Sequence, residues 1–400
     1  MLHANTLCFT SLGLLALAAS AVEGAYTWND FQFGAFASQG YFQSTDNDYL
    51  GDSEDGSFDF REYGVNVSWS KGKFRAGAQV FGQSLGYYGD DEIMLDWATA
   101  DYQFSQQFGL RAGRVKMPRG LYNETLDLDM LRPFVFLPAS VYDPRLRDFS
   151  SAFNGAMAYG NVELGKAGSL DYKIFGGDIP MSIDSGAANY FNNDVDYPVT
   201  SMAMDAIYGG SLFWNTPVVG LRFGYSYSAF KGMESTRFID VPPLSFYIYK
   251  ESGTYERQLL SAEYATGDWV FAFEVGHDYT RAGVTTTSPF YPPFAGTNES
   301  TYGYVSAARR INDWLELGAY YSYSKDTAEV TGFDLTLPDL EQHDFAISAK
   351  FDVTSYMIFK LEAHYMDGVG KIFSSYEHPQ PFDQREDNWM FFAAKVSFYY

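Results

Sequence analysis

From about residue 30 to the end of the chain, apolar and polar side chains alternate with a period of two in stretches of roughly ten residues, each closed by a turn signal. The final stretch shows the pattern most cleanly. Met390, Phe392, Ala394, Val396, Phe398 and Tyr400 alternate with a set that contains Lys395 and Ser397. In a strand, successive side chains point to opposite faces, so one face is greasy and the other wet. The same reading applies to Tyr63, Val65, Val67 and Trp69 against Gly64, Asn66 and Ser68, and to Phe345, Ile347, Ala349 and Phe351 against Asp344, Ser348 and Lys350. Counted in this way, strands begin near residues 30, 58, 74, 92, 108, 151, 169, 203, 219, 255, 269, 300, 314, 342, 356 and 388. Short turns fall at Lys71, Gln106, Gly165, Pro217, Gly267, Asn312 and Thr354, and longer connections alternate with them.

Sixteen greasy faces are too many to share one sandwich core, so the pattern predicts an all-β chain whose apolar faces meet something other than each other. Composition points to lipid. The chain has 32 Tyr and 35 Phe beside a mean hydropathy of only -0.22, as a transmembrane antiparallel barrel with aromatic girdles and a polar interior requires. No run of 18 apolar residues follows the N-terminal segment, so no membrane helix is expected. Irregular or open-edged sheet is not viable in hydrocarbon, which leaves a closed barrel of sixteen strands with an aqueous interior. Trp28, Trp69, Trp214, Trp269 and Trp314 all lie beside the N-terminus or a tight turn, where an interfacial belt would place them. That end, with both termini, is the predicted periplasmic side.

The N-terminus carries an apolar stretch from Leu12 to Ala19 followed by Ala19-Ser20-Ala21, which reads as a signal peptide over residues 1–21, cleaved after Ala21. Residues 22–400 then form a single barrel domain, exported through the periplasm to a bacterial outer membrane with its lipid and lipopolysaccharide. The one cysteine, Cys8, belongs to the cleaved segment, so no disulfide or thiolate metal site is expected. With 27 basic against 50 acidic residues the net charge is -23, which argues against a nucleic-acid partner.

One connection is much longer than a hairpin needs: residues 117–150, after the fifth strand and third among the loops at the extracellular end. Structureless segments of that length are usually functional. The topology and the stretch from Gly109 to Asn123, which includes Arg111, Arg114, Lys116 and Arg119, resemble sixteen-stranded bacterial outer-membrane porins, with a tone similar to the phosphate-selective O/P kind. The resemblance implies that this third loop folds into the lumen and sets its narrowest point, that small hydrophilic solutes and ions diffuse through passively, and that the barrel is a homotrimer. The loop has no lysine-rich run, so phosphate selectivity does not carry over.

Read from the residues alone, the loop holds Arg119, Arg132, Arg145 and Arg147 against Glu124, Asp127, Asp129, Asp143 and Asp148. Together with Arg75, Arg111, Arg114, Lys116 and Tyr122, the first four arginines and Glu124, Asp127 and Asp129 form the candidate constriction. Mixed charge in a narrow aqueous opening sets up a transverse field that sorts permeants. The alternative for each arginine is a carboxylate pair that pins the loop to the wall. Tyr122, Phe134, Phe136, Tyr142 and Phe149 are better explained by packing than by a sugar slide. Other charges in inward phase, including Lys173, Glu274, Lys350, Lys360, Glu362 and Lys395, are expected to be solvated lumen wall. The acidic loops around Asp46–Asp55 and Asp178–Asp196 match no calcium-loop spacing. The histidines His277, His343, His364 and His378 carry no hydrolase or metal signature, with His343 and His378 expected in loops, so neither an enzyme nor a cofactor is expected.

Overall fold

The computed structural model describes residues 26–28, 30–89, 91–185, 188, 192, 197–241, 244–290, 292–331, 340–374 and 378–400; the signal-peptide segment, Asp194 and Asp196 lie outside them. Its sixteen long strands are β1 (Phe31–Ser44), β2 (Phe60–Lys71), β3 (Phe74–Leu85), β4 (Ile93–Gln103), β5 (Gly109–Lys116), β6 (Ala152–Glu163), β7 (Ser169–Asp178), β8 (Ala206–Asn215), β9 (Leu221–Val241), β10 (Leu244–Thr266), β11 (Trp269–Thr286), β12 (Phe294–Asn312), β13 (Leu315–Thr331), β14 (Leu340–Thr354), β15 (Met357–Gly368) and β16 (Asn388–Tyr399). Each pairs antiparallel with its neighbours in the chain, and β16 pairs with β1 from Phe391↔Ser44 to Tyr399↔Phe36. Reciprocal Tyr400 and Ala35 backbone bonds of 2.8 and 2.9 Å finish the seam. The sheet is a closed barrel, so its backbone groups are paired without an exposed edge. Two short segments are added to it, Tyr26–Trp28 on β1 and Val199–Ala203 on β9.

Alternation sorts side chains as the sequence pattern requires, and in the inverse sense to a soluble protein. Along β14, outward Phe345 and Ile347 are 48% and 66% exposed, whereas inward Lys350 is 4% exposed. Trp214, Trp269 and Trp314 are exposed beside tight turns, at one end of the barrel. Two strands start well away from their expected places. β10 begins at Leu244 instead of near residue 255, and β12 at Phe294 instead of near 300. The cause is a tall hairpin, in which β9 and β10 remain paired up to Val241↔Leu244. At Gly232, with φ +60°, and at the register shift between Ser252 and Tyr255, the alternation changes phase, so that Phe230 and Met233 are both buried. A period-two test fails where a bulge inserts a residue. His343, expected in a loop, lies within β14 opposite Tyr323.

The interior is not uniformly polar. Apolar clusters join the inner wall to the loops of the long-connection end. One contains Phe42, Tyr49, Leu50, Phe60, Val135, Ile372, Trp389 and Phe391; another contains Val115, Met117, Phe149, Phe153, Phe175, Ile207 and Phe230.

Candidate functional site

Residues 117–151 are tied to inward-facing side chains around most of the barrel wall. The neck closes through Met117 N to Ser151 O at 2.8 Å. Next, Gly120 N donates to Ser226 Oγ (3.0 Å) on β9 and Leu121 N to Glu274 Oε1 (3.0 Å) on β11. Gly120 has φ +60°, and a Cβ there would stand 2.5 Å from Tyr142 Oη and 2.6 Å from Glu274 Oε1, so glycine is required twice over. Among the described residues no cation pairs with Glu274; it accepts instead from the hydroxyls of Tyr142 (2.5 Å), Ser261 (2.5 Å) and Tyr304 (2.9 Å). Buried carboxylates persist when hydrogen bonds of this kind saturate them.

From there three acidic residues touch three parts of the wall. Glu124 pairs with Lys173 of β7. Asp127 pairs with Lys116 of β5 at 2.5 Å and accepts from Gln79 of β3 at 2.7 Å. Asp129 pairs with Lys395 of β16 at 2.6 Å and Lys360 of β15 at 3.5 Å, and accepts from Ser397 at 2.9 Å. Burial works to raise the Asp129 carboxyl, but Lys360, Lys395 and Arg132 outweigh it and hold the group well below the usual carboxylate range; for Asp127, Lys116 and Arg147 outweigh burial in the same way. Beyond Asp129, Lys350 donates to Met130 O and Lys360 to Phe134 O, both at 2.7 Å. Glu362 accepts from Val135 N and Phe136 N at 2.9 Å each. His364 bridges Glu362 (3.0 Å) and Asp344 (2.9 Å) behind this contact. These wall residues, expected to be solvated, are nearly all buried loop anchors instead: a bare lumen would expose them, and the loop covers them.

Between this segment and the wall lies a chamber of about 270 Å3, lined by charged residues of β3, β4, β5 and β7, by Met157 and Tyr159 of β6, and by Glu124, Thr125, Asp127, Leu128 and Met130. A bulge on β4 helps to build it. Gln79 pairs with Trp97 and Val80 with Leu95, which leaves Asp96 unpaired between them and turned inward with Trp97. Asp96 receives Arg147 at 2.9 Å and Lys116 at 3.7 Å. Two residues past Trp97 in phase, Thr99 and Asp101 also line the chamber, and Asp101 takes both Arg75 (2.9 Å) and Arg111 (3.1 Å).

The twelve candidate residues therefore divide. Arg75, Arg111, Lys116, Glu124 and Asp127 line the chamber. Arg119 is buried, donating to Val141 O (2.6 Å) and Tyr302 Oη (3.0 Å). Arg132 donates to the carbonyls of Thr125 (2.9 Å) and Leu126. Arg145 is 2% exposed, held by Asp143 (2.7 Å) and Lys371 O (2.6 Å), and stacked over the Phe373 ring. Arg147 stands over Phe81 while pairing with Asp96, and Arg114 donates to the Asp96 carbonyl at 3.0 Å. Tyr122 packs near Tyr142, and Asp129 is the three-way clamp already described. The loop aromatics are packing groups, with Phe134 against Tyr320, Phe136 stacked on Phe60 and Phe149 on Phe230. Sequence reading missed Asp96, Asp101 and Tyr159. The alternation Trp97, Thr99, Asp101 against Ala98, Ala100, Tyr102 contains Asp101, whereas Asp96 is out of phase and visible only through the bulge.

No protein-family model matches the sequence, and no curated protein matches it. Solved structures do. OmpT, an outer membrane protein of Vibrio cholerae, superposes with TM-score 0.53 at 12% identity, covering 94% of this chain and 100% of that one, and a further structure of it is a trimer form. The anion-selective porin from Comamonas acidovorans gives 0.52 at 11% identity, with 92% and 98% covered. OmpF of Salmonella typhi, in complex with daunomycin, gives 0.54 at 12% identity, with 94% and 99% covered. The fold is thus the sixteen-stranded barrel of outer-membrane porins.

Proposed function

We propose that the protein is an outer-membrane porin that lets small hydrophilic solutes and ions diffuse passively through the barrel, with residues 117–150 as the constriction. It works as a homotrimer in a membrane of lipid and lipopolysaccharide, after export and removal of residues 1–21. The observation that carries this is the charged chamber beneath a segment anchored around the inner wall. Lining cations on β3, β5 and β7 face carboxylates on the segment, an arrangement that generates a field across the opening. The porin-like neighbours support the channel reading.

Planar-bilayer recording of the refolded protein tests it. Long-lived ohmic openings are expected, and neutralising Arg111, Arg114 and Lys116 together is expected to move the reversal potential in a salt gradient. A correctly folded barrel that never conducts would overturn the reading. It would favour a second one, a receptor or adhesin barrel, to which the apolar packing of loops and wall at the long-connection end lends specific support.

A further inference from the structure

The cations inside this barrel differ in how completely protein groups satisfy them. Lys116 shares Asp127 and Asp96 with Arg147, so two positive charges meet two negative ones. Lys173 meets Glu124 one to one. Arg75 and Arg111 share a single carboxylate, Asp101. Arg75 uses Nε and Nη2, on Asp101 and on Tyr159 Oη at 2.9 Å; Arg111 uses only Nε, at 3.1 Å. Among the described residues no acceptor lies on Arg75 Nη1 or on either terminal nitrogen of Arg111. Both guanidinium groups border the chamber, with side chains 27% and 11% exposed. The Tyr159 ring lies under Arg111, its hydroxyl donates to Asp101 at 2.7 Å, and this fixes the fork in place.

We propose that the Arg75–Asp101–Arg111 cluster binds the carboxylate of a small monoanionic solute that carries an apolar body. The inference rests on the chamber being part of a solute path. Three features select this ligand. Guanidinium groups match planar oxyanions with paired N–H donors. The cluster has one net positive charge, and Asp171, bound to Asn161 and Asn215 at 2.8 Å each, adds a negative charge to the same chamber. A monoanion therefore balances the charge of the Arg75–Asp101–Arg111 cluster itself, whereas a phosphate dianion brings a second charge that the cluster leaves uncompensated and that Asp171 repels in a partly desolvated space. Finally, Trp97, Met157, Leu128 and Met130 supply an apolar surface for the remainder of the molecule.

Equilibrium dialysis of labelled benzoate against the detergent-solubilised barrel measures this directly, without requiring conduction. Saturable binding is expected, weakened at least tenfold in R75Q/R111Q, unchanged in the exposed-turn variant K71Q, and poorly displaced by inorganic phosphate. If R75Q/R111Q does not fold, R111K, which keeps the charge but loses the fork, must still weaken binding severalfold. Benzoate binding that is absent, that is indifferent to both variants, or that phosphate displaces as readily as unlabelled benzoate does, overturns the proposal. Bilayer currents separate the two readings: binding with a silent bilayer defeats the channel, and conduction without benzoate binding defeats the carboxylate site alone.

Discussion

Two sets of cations inside the same barrel have opposite fates. On the β14–β16 side, Lys350, Lys360 and Lys395 are at most 4% exposed and touch loop carbonyls or Asp129. On the β3–β5 side, Arg75 and Arg111 border open space with donors to spare. All five were in inward phase or near the loop in the sequence, and all five are basic. What separates them is whether a loop atom covers the charge. A covered charge becomes a structural clamp, since removing its partner leaves a buried ion uncompensated. One left uncovered by the loop keeps N–H donors turned to the chamber.

The comparison is broken most forcefully at Asp129. Asp129→Ala strips a carboxylate from Lys360 and one of two from Lys395, which keeps Glu62, and is expected to cost about 3–5 kcal/mol in the folding equilibrium. Urea unfolding followed by gel mobility measures it; a loss below about 1 kcal/mol would mean that the clamp is as weak as a surface pair. Less costly is Gly120→Ala, which places a Cβ against Tyr142 and Glu274 at a left-handed residue. About 1–2 kcal/mol is expected from the backbone conformation alone, with loosening of the segment visible as faster proteolysis between residues 117 and 150. Mild acid sharpens the comparison through the absence of an effect. Because the folded Asp127 and Asp129 carboxyls lie below their unfolded value of about 3.9, their stabilisation is present in full above that pH and fades only as pH falls towards the folded values. The share of the segment's proteolytic protection that Asp127 and Asp129 supply should therefore be flat from pH 7 to about 4.5; a transition near pH 5 to 6 that persists in Glu274→Gln would show that these carboxylates are not held by their cations.

Much of the architecture was legible beforehand. Strands such as β14 and β16 follow from period two, because alternation is a local property that any ten residues can display. It failed at β9 and β10, where Gly232 and the shift near Ser252 reset the phase. The site was only half legible. Arg111 and Lys116 could be chosen because they lead into an unusually long loop, but Arg145, in the same loop, is consumed by Asp143 and by Lys371 O, 226 residues away.

By itself the sequence determined the barrel, its strand number, the oily exterior and the length of the third loop, since each arises from contacts between near neighbours or from the demand of lipid on backbone. Only the tertiary structure decided which lumen charges are clamps and which are open. That choice depends on where residues 117–150 lie against strands far away in the chain, and a charge carries no local mark of whether something will cover it.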